Sequence, residues 1–271
     1  TEDFRRIFDY VSEPIFYDNN HTMATGNKII AENVFATIAP YFGKSFSVDQ
    51  SKQNSEFKSG TGVVYAVGSD LSDMNFDNLN LQNAVFDSAN LNSASFKNAN
   101  LDGARFPYAD LSNTNLSNNN LENAILTVSD LSNSNLSNTI LTGADLKYSD
   151  LTGIDFSNVE LNDVDLTGAN LSGADLSNKV LTKTALKEIN LSFSNLSGVN
   201  LAGLNLMYAD LSGVDLSNRD LSEINISHTN LSDTDLSHSN LYHANIISVD
   251  LTKIKNKSLA NTDLTLTSFS D

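Results

Sequence analysis

The chain has 271 residues, 40% of them hydrophobic, which is enough for a large buried core. Its 33 acidic residues outnumber 16 basic ones and leave a net charge of -17, which disfavours a direct grip on nucleic-acid phosphates or on an anionic membrane surface. With no cysteine there is no disulfide, thiolate metal site or cysteine nucleophile, and no apolar run approaches the roughly 18 residues that span a bilayer.

Residues 1–69 come first and carry no repeat. A start at Thr1, with no basic and apolar leader after it, reads as a trimmed fragment. Phe4, Ile7, Phe8 and Val11 share a helical face ahead of Pro14. Ile30, Val34, Phe35 and Ile38 form a second apolar segment that stops at Pro40 and Gly43. The spacing predicts a short helix, a second helix or strand, a polar stretch over Lys44–Gly62 and an entering strand at Val63–Val67. The whole is expected to cap the remainder of the chain, covering its first core layer and unpaired edge.

From Leu71 the chain repeats every five residues. Stepping by five to Leu251 meets 37 consecutive Leu, Phe or Ile residues, and the residue before each is Asn, Asp or Glu in 30 of the 37. Two before, it is mostly Ala, Ser, Thr or Val, as in Gly168 to Asn178, GANLSGADLSN. Neither the helical period of 3.6 nor the strand period of 2 accounts for this. A bend in every repeat does, with the central residue i and the small residue i−2 inward, and i−1, i+1 and i+2 outward. Like residues recur at twenty: Asn78, Asn98, Asn118, Asn138, Asn158 and Asn178 form one column, and Ser117, Ser137, Ser157 and Ser177 another. Four sides of five residues therefore make one coil. At the spacing of paired strands, about nine coils give a rod roughly 45 Å long.

After Leu251 the period slips, and Leu264 and Phe269 resume it out of register, with Lys253, Lys255 and Lys257 between. A register break is expected at 252–263. The chain then closes still in repeat, an adhesive edge that suggests further protein beyond Asp271.

The repeat resembles the A(D/N)LXX consensus of the pentapeptide-repeat proteins over about two thirds of the chain. The resemblance implies an all-β solenoid, a right-handed quadrilateral β-helix, here with a small helical N-terminal cap. The units are then 1–69, a non-repeat capping region, and 70–271, the β-helix.

A packed rod with convex sides offers no concave pocket, so no catalytic, cofactor or metal site is expected in this segment. His228, His238 and His243 fall on three different sides, which argues against a shared metal. Lys179 and Arg219 occupy inward i−2 positions in a column with Asn119. A charge cannot stay unpaired there, so the side chain must reach outward or the coil must bulge.

One outward column differs from the rest. Tyr108, Val128, Tyr148, Tyr208 and His228 share a coil position, with Pro107, Met207 and Ile247 at neighbouring i+1 sites, where Ser or Thr is usual. Phe193 is outward on another side. Exposed aromatic and Met side chains on a rigid wall are the residue types of a protein interface, although stacked tyrosines could also simply support one another. Between Leu71 and Leu251 there are 22 acidic and 7 basic residues. They either imitate the charge of DNA or support turns and keep the rod hydrated.

Family resemblance extends the functional readings. Similar β-helices precede the catalytic lobes of HECT-like E3 ubiquitin ligase effectors that enteric pathogens inject into host cells, and the layout here is similar. That implies a non-catalytic protein–protein interaction module of a secreted bacterial effector, its rod binding a host protein for an attached ubiquitin ligase or similar domain. The gyrase-binding members imply an alternative, an acidic DNA-mimicking rod that binds DNA gyrase or topoisomerase. Their gyrase-contacting loops have no counterpart in 37 repeats without insertion. A third reading is a structural spacer. In the first two the partner is a protein, with neither nucleic-acid binding nor membrane insertion.

Overall fold

A computed structural model describes residues 64, 66–255, 259 and 261–268. The helices expected ahead of residue 63 lie outside the described residues; of the strand expected at Val63–Val67, Val64, Ala66 and Val67 are described, and Val67 with Gly68 forms the first turn.

Most i−1 residues, one in every five, make an isolated parallel bridge to the residue twenty further on. Asp70 pairs with Asn90, Asn90 with Asp110 and Asp110 with Asp130, while Asn75, Asn80 and Val85 start the same ladders on the other three sides. The chain thus returns beneath itself every twenty residues as a four-sided parallel coil. Its sides are too short for conventional strands, and the described residues contain no α-helix.

The corners explain the five-residue period. Each central carbonyl accepts the N–H of residue i+3, as in Ala84 to Leu81 at 2.9 Å and Ala124 to Leu121 at 3.0 Å. Residue i+2 then takes a left-handed conformation, with φ near +60° at Asn83, Asn118 and Asn138. Asn, Asp and Gly tolerate that region best, which is why they recur there. The i−1 carboxylate or amide closes the same corner: Asp130 Oδ1 accepts the Ser132 N–H at 2.8 Å and Asn195 Oδ1 that of Ser197 at 3.0 Å. Stacked corners also bond to one another, Asn98 Nδ2 to Asn78 Oδ1 at 3.0 Å and Asn138 Nδ2 to Asn118 Oδ1 at 3.1 Å.

The central side chains fill the interior, and Leu91, Leu111, Leu131 and Leu171 are fully buried. Each contributes about 1.5–3 kcal/mol before chain entropy is subtracted. At the N-terminal end Phe76 stacks on Phe96 and Phe86 on Phe106, at 4.7 and 5.1 Å, and the two columns meet edge to face across the axis. Most buried hydroxyls at i−2 bond to the backbone, as Thr139 Oγ1 donates to the Leu116 carbonyl at 2.8 Å and Thr234 Oγ1 to that of Leu211 at 2.8 Å, whereas those of Ser134 and Ser194 have no partner among the described residues.

The same carbonyls resolve the two inward cations. Arg219 donates to the carbonyls of Leu196 and Val199, reaching back 23 residues to Leu196 as Thr139 does to Leu116. Lys179 Nζ donates to the carbonyls of Ser157 and Val159, both at 3.0 Å. Both side chains stay half-buried, so backbone oxygens of the preceding coil take up the charge.

Two irregularities break the pattern. Asp155 and Glu160 make no bridge, nor do Val180 and Asn200 further along the Glu160 side, and the N–H groups of Asn138 and Gly143 bond to the carbonyls of Asn158 and Asp163, one residue later than elsewhere. This coil carries Ile154, Val159 and Val164 at i−2 around Phe156. Further on, Asn240 pairs with Asp263 and Asn245 with Ser268, a step of 23. The Lys255 N–H still bonds to the Thr234 carbonyl in the regular register, so the three extra residues fall between Lys255 and Asp263, after the 3-10 turn Leu251–Lys253 that Asp250 caps by accepting the Thr252 N–H.

Replacing Leu171 by Asp is expected to unfold the neighbouring coils, because it buries an unpaired charge. Leu171→Ala should cost about 2–5 kcal/mol. Thermal unfolding checks both, and an unchanged midpoint for Leu171→Asp would contradict the inward placement.

Candidate protein-binding surface

Residues i+1 and i+2 form each corner turn, and the i+2 side chains protrude the more. Tyr108 is 66% exposed, Tyr148 53% and Tyr208 49%, with Val128 and His228 exposed in the same column. Met207 and Ile247, at i+1, are half-buried, and Pro107 is buried. The expectation that Pro107 faces outward into solvent is therefore corrected: it is buried within its turn. Phe193 stands at the next corner and is 73% exposed.

Residue type, on a backbone shared by every corner, sets this column apart. Tyr108, Val128, Tyr148, Tyr208 and His228 all hold φ between 57° and 63°, and Phe193 holds 57°. Bulky side chains in the left-handed region cost about 1–2 kcal/mol each, and a β-branched residue there, as at Val128, is uncommon. The corner holds strained residues where Asn or Gly would be relaxed.

Glycines one coil further on receive two of the rings. A Cβ on Gly168 would lie 2.2 Å from Tyr148 Cδ1, and one on Gly213 would lie 2.5 Å from Phe193 Cδ1. Each ring therefore leans flat over a bare backbone. Tyr148 Oη donates to Glu188 Oε2 at 3.1 Å, a bond that raises the phenol above its ordinary pKa. Lys187 Nζ lies 3.6 Å from Glu188 and 5.6 Å from the Tyr208 ring centroid, and Tyr208 stacks on His228 at 4.7 Å. Tyr108, Tyr148 and Tyr208 do not stack on one another; the Tyr148 ring is held by Gly168 and Glu188, and that of Tyr208 by His228. Gly168, Gly213 and Glu188 do not stand out in the sequence, yet each glycine lies twenty residues after its aromatic partner, a spacing that the coil length makes readable.

Other surfaces bring less together. Asp155, Ser157, Asp175, Ser177 and Lys179 line a shallow depression. The Ser157 and Ser177 N–H groups hold the two carboxylates below their ordinary pKa, and Lys179 is spent on carbonyls. The histidines stand on three sides, and among the described residues no three His, Asp or Glu side chains converge as a metal centre needs. Nor is any helix among them long and apolar enough to cross a membrane.

Such geometry defines a class, the four-sided β-solenoids built from five-residue repeats. The family profile described as Pentapeptide repeats matches in eight copies over residues 69–106, 109–147, 139–178, 185–218 and 220–255, and the chain belongs to this family. Its members form right-handed quadrilateral β-helices. The chain is similar to HetL, a pentapeptide repeat protein involved in heterocyst differentiation regulation from the cyanobacterium Nostoc sp. strain PCC 7120. Identity is 24% over 77% of this chain and 90% of that chain, with a TM-score of 0.34. It is also similar to full-length QnrB1, a plasmid-mediated fluoroquinolone resistance protein, at 19% identity over 78% of this chain and 94% of that one, TM-score 0.37. Rfr23 from the cyanobacterium Cyanothece 51142 is 22% identical over 50% of this chain and 85% of that one, TM-score 0.27. No curated protein matches the chain significantly.

Gly168→Asn keeps a residue type that tolerates the left-handed conformation but displaces the Tyr148 ring, so loss of the Glu188 bond should bring the phenol back toward its ordinary pKa in an ultraviolet titration. At other corners the pKa values of Asp155, Asp175, Asp220 and Asp235 are lowered by bonds from the serines two residues on. Their stabilisation is complete above the unfolded value of about 3.9 and is lost as pH falls through the lower folded values. A variant with all four changed to Asn should show a flatter melting temperature against pH below that value than the wild type.

Proposed function

We propose that the rod is a non-catalytic protein–protein interaction module of a secreted bacterial effector, and that it binds a host protein through the corner of Tyr108, Val128, Tyr148, Tyr208 and His228, with Met207 beside it and Phe193 at the next corner. On this reading residues 1–69 cap a β-helix of about nine coils in residues 70–271, and the rod recruits a partner or substrate for an attached ubiquitin ligase or similar domain. The observation that carries the binding role is the retention of bulky, exposed residues in strained left-handed conformations at one corner. Most other corners hold Asn, Asp or Gly. The host partner rests on the layout alone, a non-repeat lead ahead of an acidic rod.

A second reading, an acidic rod that imitates DNA and binds DNA gyrase, is favoured by columns of carboxylates such as Asp155, Asp175, Asp215 and Asp235 and by the net charge of -17. One variant separates the two. Tyr108→Asn, Val128→Asn, Tyr148→Asn and Tyr208→Asn together put a relaxed residue at each corner, so the melting temperature should hold or rise. Affinity capture from mammalian and bacterial lysates should recover a specific host protein with the wild type and lose it with the variant. Recovery of gyrase, unaffected by the variant, would overturn the first reading in favour of the second.

A further inference from the structure

The side of the rod that begins at the aromatic corner carries the central residues Leu71, Leu91, Leu111 and onward to Leu231. Over these nine coils, counting residues i−2 to i+2, the side holds seven aspartates and no lysine or arginine. The side that ends at the same corner holds Arg105, Lys147 and Lys187, and its ion pairs include Arg105 with Asp87 and Lys147 with both Asp145 and Asp165, each at 3.0 Å. Cations are thus present on one side of the corner and missing from the other.

Asp110, Asp130 and Asp150 stand two residues after Tyr108, Val128 and Tyr148. Their Oδ1 atoms are engaged by the fold, accepting N–H groups of Ser112 at 3.0 Å, Ser132 at 2.8 Å and Thr152 at 2.9 Å. Their Oδ2 atoms have no partner among the described residues and face solvent. The three charges stack at about 4.8 Å per coil, a like-charge row that repels itself when free. Exposed tyrosines flank the row on one edge, and Phe193 marks the far edge of the same side higher up the rod.

We propose that this side is the docking wall for an extended cationic segment of a partner protein, several lysines or arginines laid along the rod axis. The inference rests on the protein-binding reading above and names the chemistry of the partner. Charge complementarity selects the occupant: basic side chains would pair with the free carboxylate oxygens and lie over the exposed tyrosine faces. A nucleic acid would be repelled, and a second copy of the rod offers no matching basic side among the described residues.

The test uses fluorescence anisotropy with a labelled oligoarginine peptide and an uncharged oligoglutamine peptide of equal length. Asp110→Asn, Asp130→Asn and Asp150→Asn together remove three charges from the wall, and Asn at i−1 is native to Asn90, Asn170 and Asn190, so the fold is kept. Glu122→Gln, Glu160→Gln and Glu223→Gln remove three charges from other sides of the rod. The wall variant should bind oligoarginine about tenfold more weakly and with a shallower salt dependence, the glutamate variant should bind nearly as the wild type, and oligoglutamine should not bind. Equal losses in both variants would reduce the attraction to net charge and overturn the proposal. So would oligoglutamine binding as tightly. If the captured partner is lost in the tyrosine variant yet kept in the wall variant, the docking corner stands and the cationic partner falls.

Discussion

The whole rod depends on one corner, repeated. A carbonyl accepts the N–H three residues on, the residue between takes φ near +60°, and the Asn or Asp that opens the turn fixes it from outside, as Asp130 does through Ser132. Four such corners bring the backbone back above itself after twenty residues, so each peptide group meets its counterpart in the next coil. Inward and outward positions, ladder bonds and columns on the surface all inherit their registry from that turn.

Because registry is set locally, disturbances stay local. The hydrogen bonds of Asn138 and Gly143 shift by one residue, and the neighbouring side keeps a regular bridge from Asp145 to Asp165. Three extra residues between Lys255 and Asp263 shift the register once, and pairing continues at Asp263 and Ser268. Inward polar groups follow the same economy, since Thr139, Thr234, Lys179 and Arg219 all bond to carbonyls of the preceding coil. A solenoid of this kind is a stack of nearest-neighbour contacts, tolerant of substitution on its sides. That tolerance makes the strained aromatic corner conspicuous: nothing in the turn requires Tyr or Val there.

The period, the coil length, the inward positions and the aromatic column are all legible in the sequence, because each depends only on spacing. Spacing does not show how side chains of unequal length settle. Arg219 looks like a core charge until its reach to Leu196 is seen, and Pro107 looks outward until it is seen to be buried within its turn. The support of Tyr148 by Gly168 and of Phe193 by Gly213 is present as a twenty-residue separation, but its meaning needs the direction in which the rings lean. The aspartate wall likewise emerges only when charges are sorted by side rather than summed along the chain.

The most direct measurement of the coil is the distance between pairs of spin labels on engineered cysteines, since the chain has none of its own. One label at Lys97, paired in turn with Ser137, Ser177, Ser217 and Ser237, stays on a single side of the rod. Pulsed dipolar spectroscopy should give distances that grow in proportion to the number of coils crossed, by about 4.8 Å per coil. Distances that fail to rise steadily with the count of twenty-residue steps would contradict the coil, and with it every surface assigned to one side.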